Sequence, residues 1–113
     1  MDHVFTRLGI DPNTVNYDVH IVSSKQMHEL NKQHRNRDKS TDVLSFPLLH
    51  IEQGQKPTRE NFPLDYNHET GRIELGDIVI NENEPNREEL IEHGLLHLLG
   101  YHHDDHTDEE DEE

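Results

Sequence analysis

The segment that most constrains the fold is a histidine-rich stretch near the C-terminus, in which three histidines follow the pattern H-x3-H-x5-H. These are His93, His97 and His103, with Gly100 between the second and the third. Residues four apart lie on one face of a helix, so His93 and His97 can bind the same metal ion. Glycine tolerates positive φ and is common where helices end. The sequence therefore predicts a helix through His97, a bend at Gly100 and a third imidazole, from His103, that turns back towards the first two.

Three imidazole ligands leave one position of a tetrahedral site open to water, which is typical of catalytic rather than structural zinc. The alternative is that these histidines are solvated or packed in the core. Because 11 of the 113 residues are histidine, a pair spaced four apart is expected about once by chance. The third histidine and the glycine make coincidence a weaker explanation. We therefore favour a metal site that holds one Zn2+, with other divalent transition metals as alternatives.

The composition indicates one small domain followed by an acidic tail. The formal net charge is −15, only 29% of the residues are hydrophobic, and the mean hydropathy is −1.04. We expect a single domain over residues 1–103 with a thin core, to which a bound metal adds folding free energy. Residues 104–113, of which eight are acidic, are expected to form an acidic C-terminal tail. This charge gives no general affinity for nucleic acid.

Three absences in the sequence indicate the cellular compartment in which the protein is expected. It has no cysteine, no basic and apolar leader pattern, and no apolar run that approaches membrane-spanning length. We therefore expect a cytoplasmic protein without disulfides or a membrane partner. The sequence is silent on the oligomeric state.

Hydrophobic periodicity predicts an α+β fold. It consists of a small mixed β-sheet of three to four strands packed with helices, with the metal site on the C-terminal helix and the following turn. The predicted strands cover about residues 17–21, 43–48 and 72–80, with a further short strand near residues 48–51. The predicted helices cover one or two turns before Gly9, then residues 24–35 and about 86–99.

Three local signals support these elements. Ser23 and Gln26 have the spacing of a capping box at a helix start, and Asn86 and Glu89 repeat it further along the chain. In the strand over residues 72–80 the apolar side chains change parity at Gly76. A β-bulge at this glycine would let the apolar residues on both sides of it face the core.

One short segment concentrates the positive charge. Half of the ten lysines and arginines fall between residues 25 and 39, namely Lys25, Lys32, Arg35, Arg37 and Lys39. In an otherwise acidic protein this is where a phosphate group would bind, because the guanidinium fork matches phosphate oxygens. The alternative is an ordinary solvated helix end, where basic side chains are favourable anyway. From composition alone, a phosphate-binding segment and a solvated helix end are equally well supported.

A metal with an open position activates water and polarises carbonyl or phosphoryl oxygens, so the site predicts hydrolysis of an acyl or a phosphoryl bond. The residue after the first histidine distinguishes acyl hydrolysis from phosphoryl hydrolysis. In the H-E-x-x-H metalloproteases that residue is a glutamate, which acts as the general base. Here it is Gly94, so a peptidase is disfavoured.

Three segments resemble the YbeY family of bacterial rRNA maturation factors. Residues 93–103, HGLLHLLGYHH, are similar to the family signature H-G-x-L-H-L-x-G-Y-D-H. Residues 29–47 begin ELN and end TDVLSFP, and they resemble the segment E-L-N…Y-R-x-K-D-x-P-T-D-V-L-S-F-P. Residues 74–80, ELGDIVI, are similar to the strand L-G-D-I-V-I. The differences include His102 in place of aspartate and Ser40 in place of proline.

The resemblance implies a metal-dependent, single-strand-specific endoribonuclease that acts in 16S rRNA 3′-end maturation and ribosome quality control. It implies zinc ligands at His93, His97 and His103, and a phosphate-binding arginine in the cleft at Arg35. Arg35 and His93 are thus the predicted catalytic residues, with water or an RNA 2′-hydroxyl as the nucleophile. The implied partners are single-stranded RNA, small-subunit rRNA and ribosome-associated proteins.

Two other classes of function stay open at the level of the sequence. The first is a zinc-binding, ribosome-associated module without catalysis, which the weak positive field allows. The second is a metalloprotease, which Gly94 opposes.

Overall fold

The computed structural model describes residues 2–101, and within them the predicted α+β fold with a small mixed sheet is confirmed. The described part of the chain contains three α-helices, a single 3-10 turn and four strands. In chain order they are α1 (Asp2–Leu8), the 3-10 turn (Pro12–Thr14), β1 (Val15–Val22), α2 (Ser24–Arg35), β2 (Val43–Pro47), β3 (Tyr66–Asn67), β4 (Arg72–Asn81) and α3 (Arg87–Leu98).

The central strand of the sheet is β4. Strand β1 pairs with it in parallel along one side, whereas β2 and β3 pair with it antiparallel. Because Ile73 of β4 pairs with both β1 and β3, β3 must lie on the side opposite β1, next to β2. The central strand is accordingly the most buried; β1 forms one edge of the sheet, and β2 and β3 form the other.

The predicted bulge at Gly76 is confirmed. Asn16 of β1 pairs with Glu74, and Asp18 pairs with Asp77, so β4 contains one more residue than β1 over this interval. Gly76 has φ of 139°, and a side chain there would overlap the Phe46 carbonyl oxygen of β2. The extra residue shifts the alternation of β4. As a result, the apolar side chains on both sides of the bulge pack in one core cluster, namely Leu75, Ile78 and Ile80.

The helices cover both faces of the sheet. Helices α1 and α3 contribute to the larger core cluster, in which Phe5, Leu95 and Leu98 pack with side chains of β4. Helix α2 lies on the other face, where Met27 packs with Leu44 and Val79. The capping box predicted for α2 is confirmed, because the Ser23 side chain accepts from the Gln26 N–H and the Gln26 side chain accepts from the Ser23 N–H.

Two local predictions are wrong. Residues 48–51 do not form a strand; the fourth strand is β3, at residues 66–67. The Leu48 N–H still donates to the Leu75 carbonyl (3.0 Å), but the chain then leaves the sheet and buries Ile51 as part of a loop. The second capping box is also absent, because the Asn86 side chain donates to the Glu89 carboxylate (3.1 Å) and caps no backbone N–H.

Some predictions lie outside the described residues. They concern His102, His103 and the acidic tail at 104–113. Among residues 2–101, no helix has the length and apolar character needed to span a membrane.

Candidate functional site

Helix α3 brings two of the predicted metal ligands together. Its buried residues are Leu90, Gly94, Leu95 and Leu98, and the two histidines lie beside this apolar stripe. The Nε2 atoms of His93 and His97 are 3.2 Å apart, and their rings stack with centroids 4.8 Å apart. His93 is exposed and His97 is half-buried, so both imidazoles border solvent.

The distance between the two nitrogens fits a shared metal ion. With zinc–nitrogen bonds of about 2.0–2.1 Å and tetrahedral angles, two imidazole nitrogens on one ion lie about 3.3 Å apart. The observed separation of His93 and His97 is 3.2 Å. A hydrogen bond between two neutral imidazoles satisfies the same distance. Within residues 2–101 no group of three histidine, cysteine or acidic side chains is arranged to hold a metal. The predicted third ligand, His103, lies outside that range.

Gly94 sets how closely α3 approaches the sheet at the level of the histidines. A methyl group at this position would lie 2.8 Å from Cγ2 of the fully buried Ile78, which is shorter than the usual separation of nonbonded carbons. The Ser45 hydroxyl of β2 lies 3.5 Å from the Gly94 carbonyl oxygen. A glutamate at position 94, as in the H-E-x-x-H proteases, would bring its Cβ into the same close contact with Ile78, which adds a steric argument against the peptidase.

Helix α3 ends in a turn at Gly100, where the sequence predicted a bend. Gly100 has φ of 94°. Its N–H donates to the His97 carbonyl (3.1 Å), and the Tyr101 N–H donates to the Leu96 carbonyl (2.8 Å). These two bonds are those of a Schellman motif. A side chain at position 100 would overlap the Ile51 carbonyl, so the turn is also packed closely against the loop after β2.

Arg35 is the last residue of α2, on the opposite face of the sheet from α3, and its side chain is exposed. Within residues 2–101 it makes no hydrogen bond with His93 or His97. The two helices nevertheless border the same edge strand. The His34 ring lies 5.0 Å from the Phe46 ring, and Gly94 lies next to Ser45. Because Ser45 and Phe46 are neighbours in β2, the end of α2 and the middle of α3 flank one short stretch of that edge.

The segment between α2 and β2, residues 36–42, continues the positive charge beyond Arg35; we call it the α2–β2 loop. It starts at Asn36, whose φ of 60° ends the helix. Within it, the Asp38 carboxylate pairs with His28 Nε2 at 2.6 Å. This hydrogen bond, together with the nearby charge of Lys32, lowers the pKa of Asp38 from its ordinary value.

Sequence reasoning missed two residues that organise this region. Asn31 and Asn81 are the buried polar side chains in the described part of the chain, with 1% and 5% of their surface exposed. Asn31 follows Met27 by four residues, so helical periodicity places it on the buried stripe of α2. That position was the available signal, because an asparagine among core positions requires hydrogen-bond partners.

Comparison with known proteins assigns the family. The profile described as Endoribonuclease YbeY matches residues 1–113. Endoribonuclease YbeY of Acetivibrio thermocellus is 38% identical over 104 residues, which are 78% of this chain and 62% of the relative. That of Aquifex aeolicus is 34% identical over 111 residues, 87% of this chain and 63% of the relative. That of Clostridium botulinum is 34% identical over 115 residues, with 86% and 68% covered. The chain thus spans 62% to 68% of the length of these relatives. It belongs to the YbeY family.

Proposed function

We propose that the protein is a metal-dependent endoribonuclease that cleaves single-stranded RNA. Its role would be in 16S rRNA 3′-end maturation and ribosome quality control, in the cytoplasm and together with ribosome-associated proteins. Membership of the YbeY family supports the activity. The observation that carries the proposal is the convergence of His93 and His97, whose Nε2 atoms are 3.2 Å apart at the surface of α3.

The proposed metal ligands are His93, His97 and His103, which would hold one Zn2+. The first two present imidazole nitrogens at a distance that suits a tetrahedral ion. The Schellman motif at Gly100 supports a return of the chain towards α3. When bound there, zinc would polarise a phosphoryl oxygen and lower the pKa of water, which is the chemistry that phosphodiester cleavage requires.

Arg35 is proposed to bind the scissile phosphate. A guanidinium donates to two phosphate oxygens at once and stabilises negative charge that develops on them during cleavage. The exposed edge of β2, next to Ser45 and Phe46, is the proposed binding site of the RNA strand. Its position between the end of α2 and the middle of α3 gives a phosphate at this edge access to both elements.

The test is cleavage of a labelled single-stranded RNA that carries the 3′ end of a small-subunit rRNA precursor, with the zinc content of each protein measured in parallel. We expect the wild-type protein to cut the single strand, to spare the same sequence in a duplex, and to lose activity with a chelator. His97→Ala should lose both zinc and cleavage. The matched control is His50→Ala, because His50 is exposed and pairs only with Glu52 among the described residues. This control should keep both.

Arg35→Gln separates catalysis from metal binding. It should keep zinc and lose cleavage by about 100-fold or more, the usual effect of removing a group that stabilises charge in the transition state. If metal-free protein cleaves as fast as zinc-loaded protein, the proposal is wrong. If the wild-type protein binds zinc and RNA without cutting, the noncatalytic ribosome-associated module is the correct alternative.

A further inference from the structure

The two buried asparagines both contact the α2–β2 loop, although they lie 50 residues apart in the sequence. Asn31 is 1% exposed and Asn81 is 5% exposed. One is in α2, before the loop, and the other is the last residue of β4. The loop leads from Arg35 to the edge strand β2, so its shape determines where the positive charges of this region lie.

Asn31 holds the first half of the loop. Its side-chain Nδ2 donates to the Lys39 carbonyl at 2.8 Å. Its backbone carbonyl accepts from the N–H groups of Asn36 and Arg37, the second at 3.3 Å. Three hydrogen bonds to Asn31 therefore hold the loop backbone at Asn36, Arg37 and Lys39. Two of these residues carry the basic side chains of the loop.

Asn81 holds the second half. Its Nδ2 donates to the Ser40 hydroxyl at 3.1 Å and to the Thr41 carbonyl at 3.3 Å. Its Oδ1 accepts from the Ser24 hydroxyl at 3.2 Å, at the start of α2. Its backbone N–H donates to the Asp42 carbonyl at 3.0 Å. One side chain thus fixes the loop relative to both the central strand and the helix that carries Arg35.

A purely stabilising role accounts poorly for Asn31. Its Oδ1 is buried and has no hydrogen-bond partner among residues 2–101, and a buried acceptor without a partner destabilises a fold. An apolar side chain at this position, beside Met27 and Leu30, would bury more favourably. What an apolar residue would not supply is the bond to the Lys39 carbonyl, which determines the path of the loop.

We propose that Asn31 and Asn81 are positioning residues that hold the α2–β2 loop in one conformation, in which its basic side chains bind the phosphates of single-stranded RNA. This inference rests on the proposed function. The affected side chains are those of Arg37 and Lys39, which lie in the loop within four residues of Arg35, the last residue of α2. Holding their backbone rigid lowers the entropy lost when they bind a phosphate chain.

The test measures binding of a fluorescent 2′-O-methyl RNA 12-mer by anisotropy, with zinc-loaded protein and between 50 and 200 mM salt. Asn31→Ala should weaken binding by about three- to tenfold, because the loop then spends most of its time in conformations that do not bind. With the RNA substrate, KM should rise while kcat changes less than twofold. Ile73→Val is the control, since Ile73 is buried near the start of β4, where it pairs with Val15 and Tyr66, whereas Asn81 ends that strand. It should lower stability without changing either value.

A double-mutant cycle distinguishes positioning from stability. In a background with Arg37→Gln and Lys39→Gln, Asn31→Ala should weaken binding by less than twofold, since the charges it positions are gone. An equal loss in both backgrounds, or no loss in either, overturns the inference. If Asn31→Ala does not fold, Ser40→Ala replaces it. That variant removes one Asn81 contact and should weaken binding by about two- to threefold, again only when the loop charges are present.

The outcomes also separate this inference from the proposed function. Cleavage by the wild-type protein without coupling in the cycle overturns the positioning role alone. Coupled binding without cleavage overturns the endoribonuclease and keeps the positioning role. A wild-type protein that neither binds nor cleaves the RNA overturns both.

Discussion

Gly94→Ala tests whether the close approach of α3 to the sheet positions the histidines. The added methyl group would lie 2.8 Å from Cγ2 of Ile78, and 3.1 Å from both its Cγ1 and its Cδ1. Carbon atoms in contact are normally about 3.5–4.0 Å apart. The helix or the isoleucine must therefore move by about 0.5–1 Å. Ile78 is fully buried in the central strand, so we expect most of the displacement to fall on α3.

Two opposing effects determine how much Gly94→Ala changes the free energy of unfolding. Alanine is favoured over glycine inside a helix by about 1 kcal/mol. Overpacking of a filled core costs about 1–3 kcal/mol. The free energy of unfolding should therefore fall by about 0–2 kcal/mol rather than rise, and the melting temperature should drop by up to about 8 °C. Displacement of His93 and His97 by the same movement should lower kcat for RNA cleavage by about tenfold or more.

Urea denaturation and RNA cleavage are the assays, and Glu29 provides the control. Glu29 is exposed in α2, so Glu29→Ala should be more stable than Glu29→Gly by about 1 kcal/mol, the propensity difference without packing. In the Gly94→Ala background, Ile78→Val removes one crowded carbon. In that background, Ile78→Val should lower the free energy of unfolding by less than the roughly 0.5–1.5 kcal/mol expected for the same substitution in the wild-type protein. If Gly94→Ala instead raises the free energy of unfolding by the full 1 kcal/mol or so of helix propensity and leaves kcat unchanged, the contact with Ile78 does not position the helix.

Three further predictions concern the turn, the metal and the loop. Gly100→Ala should lower the free energy of unfolding by about 1–3 kcal/mol in urea denaturation, because the residue has φ of 94° and faces the Ile51 carbonyl; an unchanged value would contradict the close packing. Zinc at about 100 times its dissociation constant should stabilise the wild-type protein by about 2.7 kcal/mol in the same assay, and equal stabilisation of His97→Ala would contradict the ligand assignment. The pKa of the Asp38 carboxyl, which the His28 hydrogen bond lowers below 3.8, should rise in His28→Gln when followed by NMR. Because folding lowers this pKa, its contribution to stability is present above the ordinary value and is lost as the pH falls through the lowered one; an unchanged Asp38 pKa in His28→Gln would contradict the pairing.

The fold was predictable where the signal is local. The capping box at Ser23 and Gln26 placed the start of α2, and the change of parity at Gly76 placed the bulge of β4. Both depend on residues close together in the sequence, whose spacing reflects helix or strand geometry directly. The same spacing failed at Asn86, because a side chain that can cap a helix can equally bond to a neighbouring carboxylate.

The candidate site was predictable only in part. The H-x3-H spacing is a property of one helix, so the meeting of His93 and His97 followed from periodicity. The position of the end of α2 beside the edge strand that α3 also borders depends on how the two helices pack on opposite faces of the sheet. The bonds from Asn81 to the α2–β2 loop span 41 and 40 residues of sequence, and no short-range pattern encodes them. Asn31 lies only eight residues before Lys39, and its place on the buried stripe of α2 was the one local signal.

The amino-acid sequence by itself determined the family, the class of fold and the helix that carries two imidazoles on one face. The tertiary structure decided which face of the sheet each helix covers, how tightly α3 rests on Ile78, and how two buried amides hold the loop beside Arg35. The reason is physical. Periodicity and capping are short-range properties of the backbone, whereas packing and buried hydrogen bonds form only when distant segments meet.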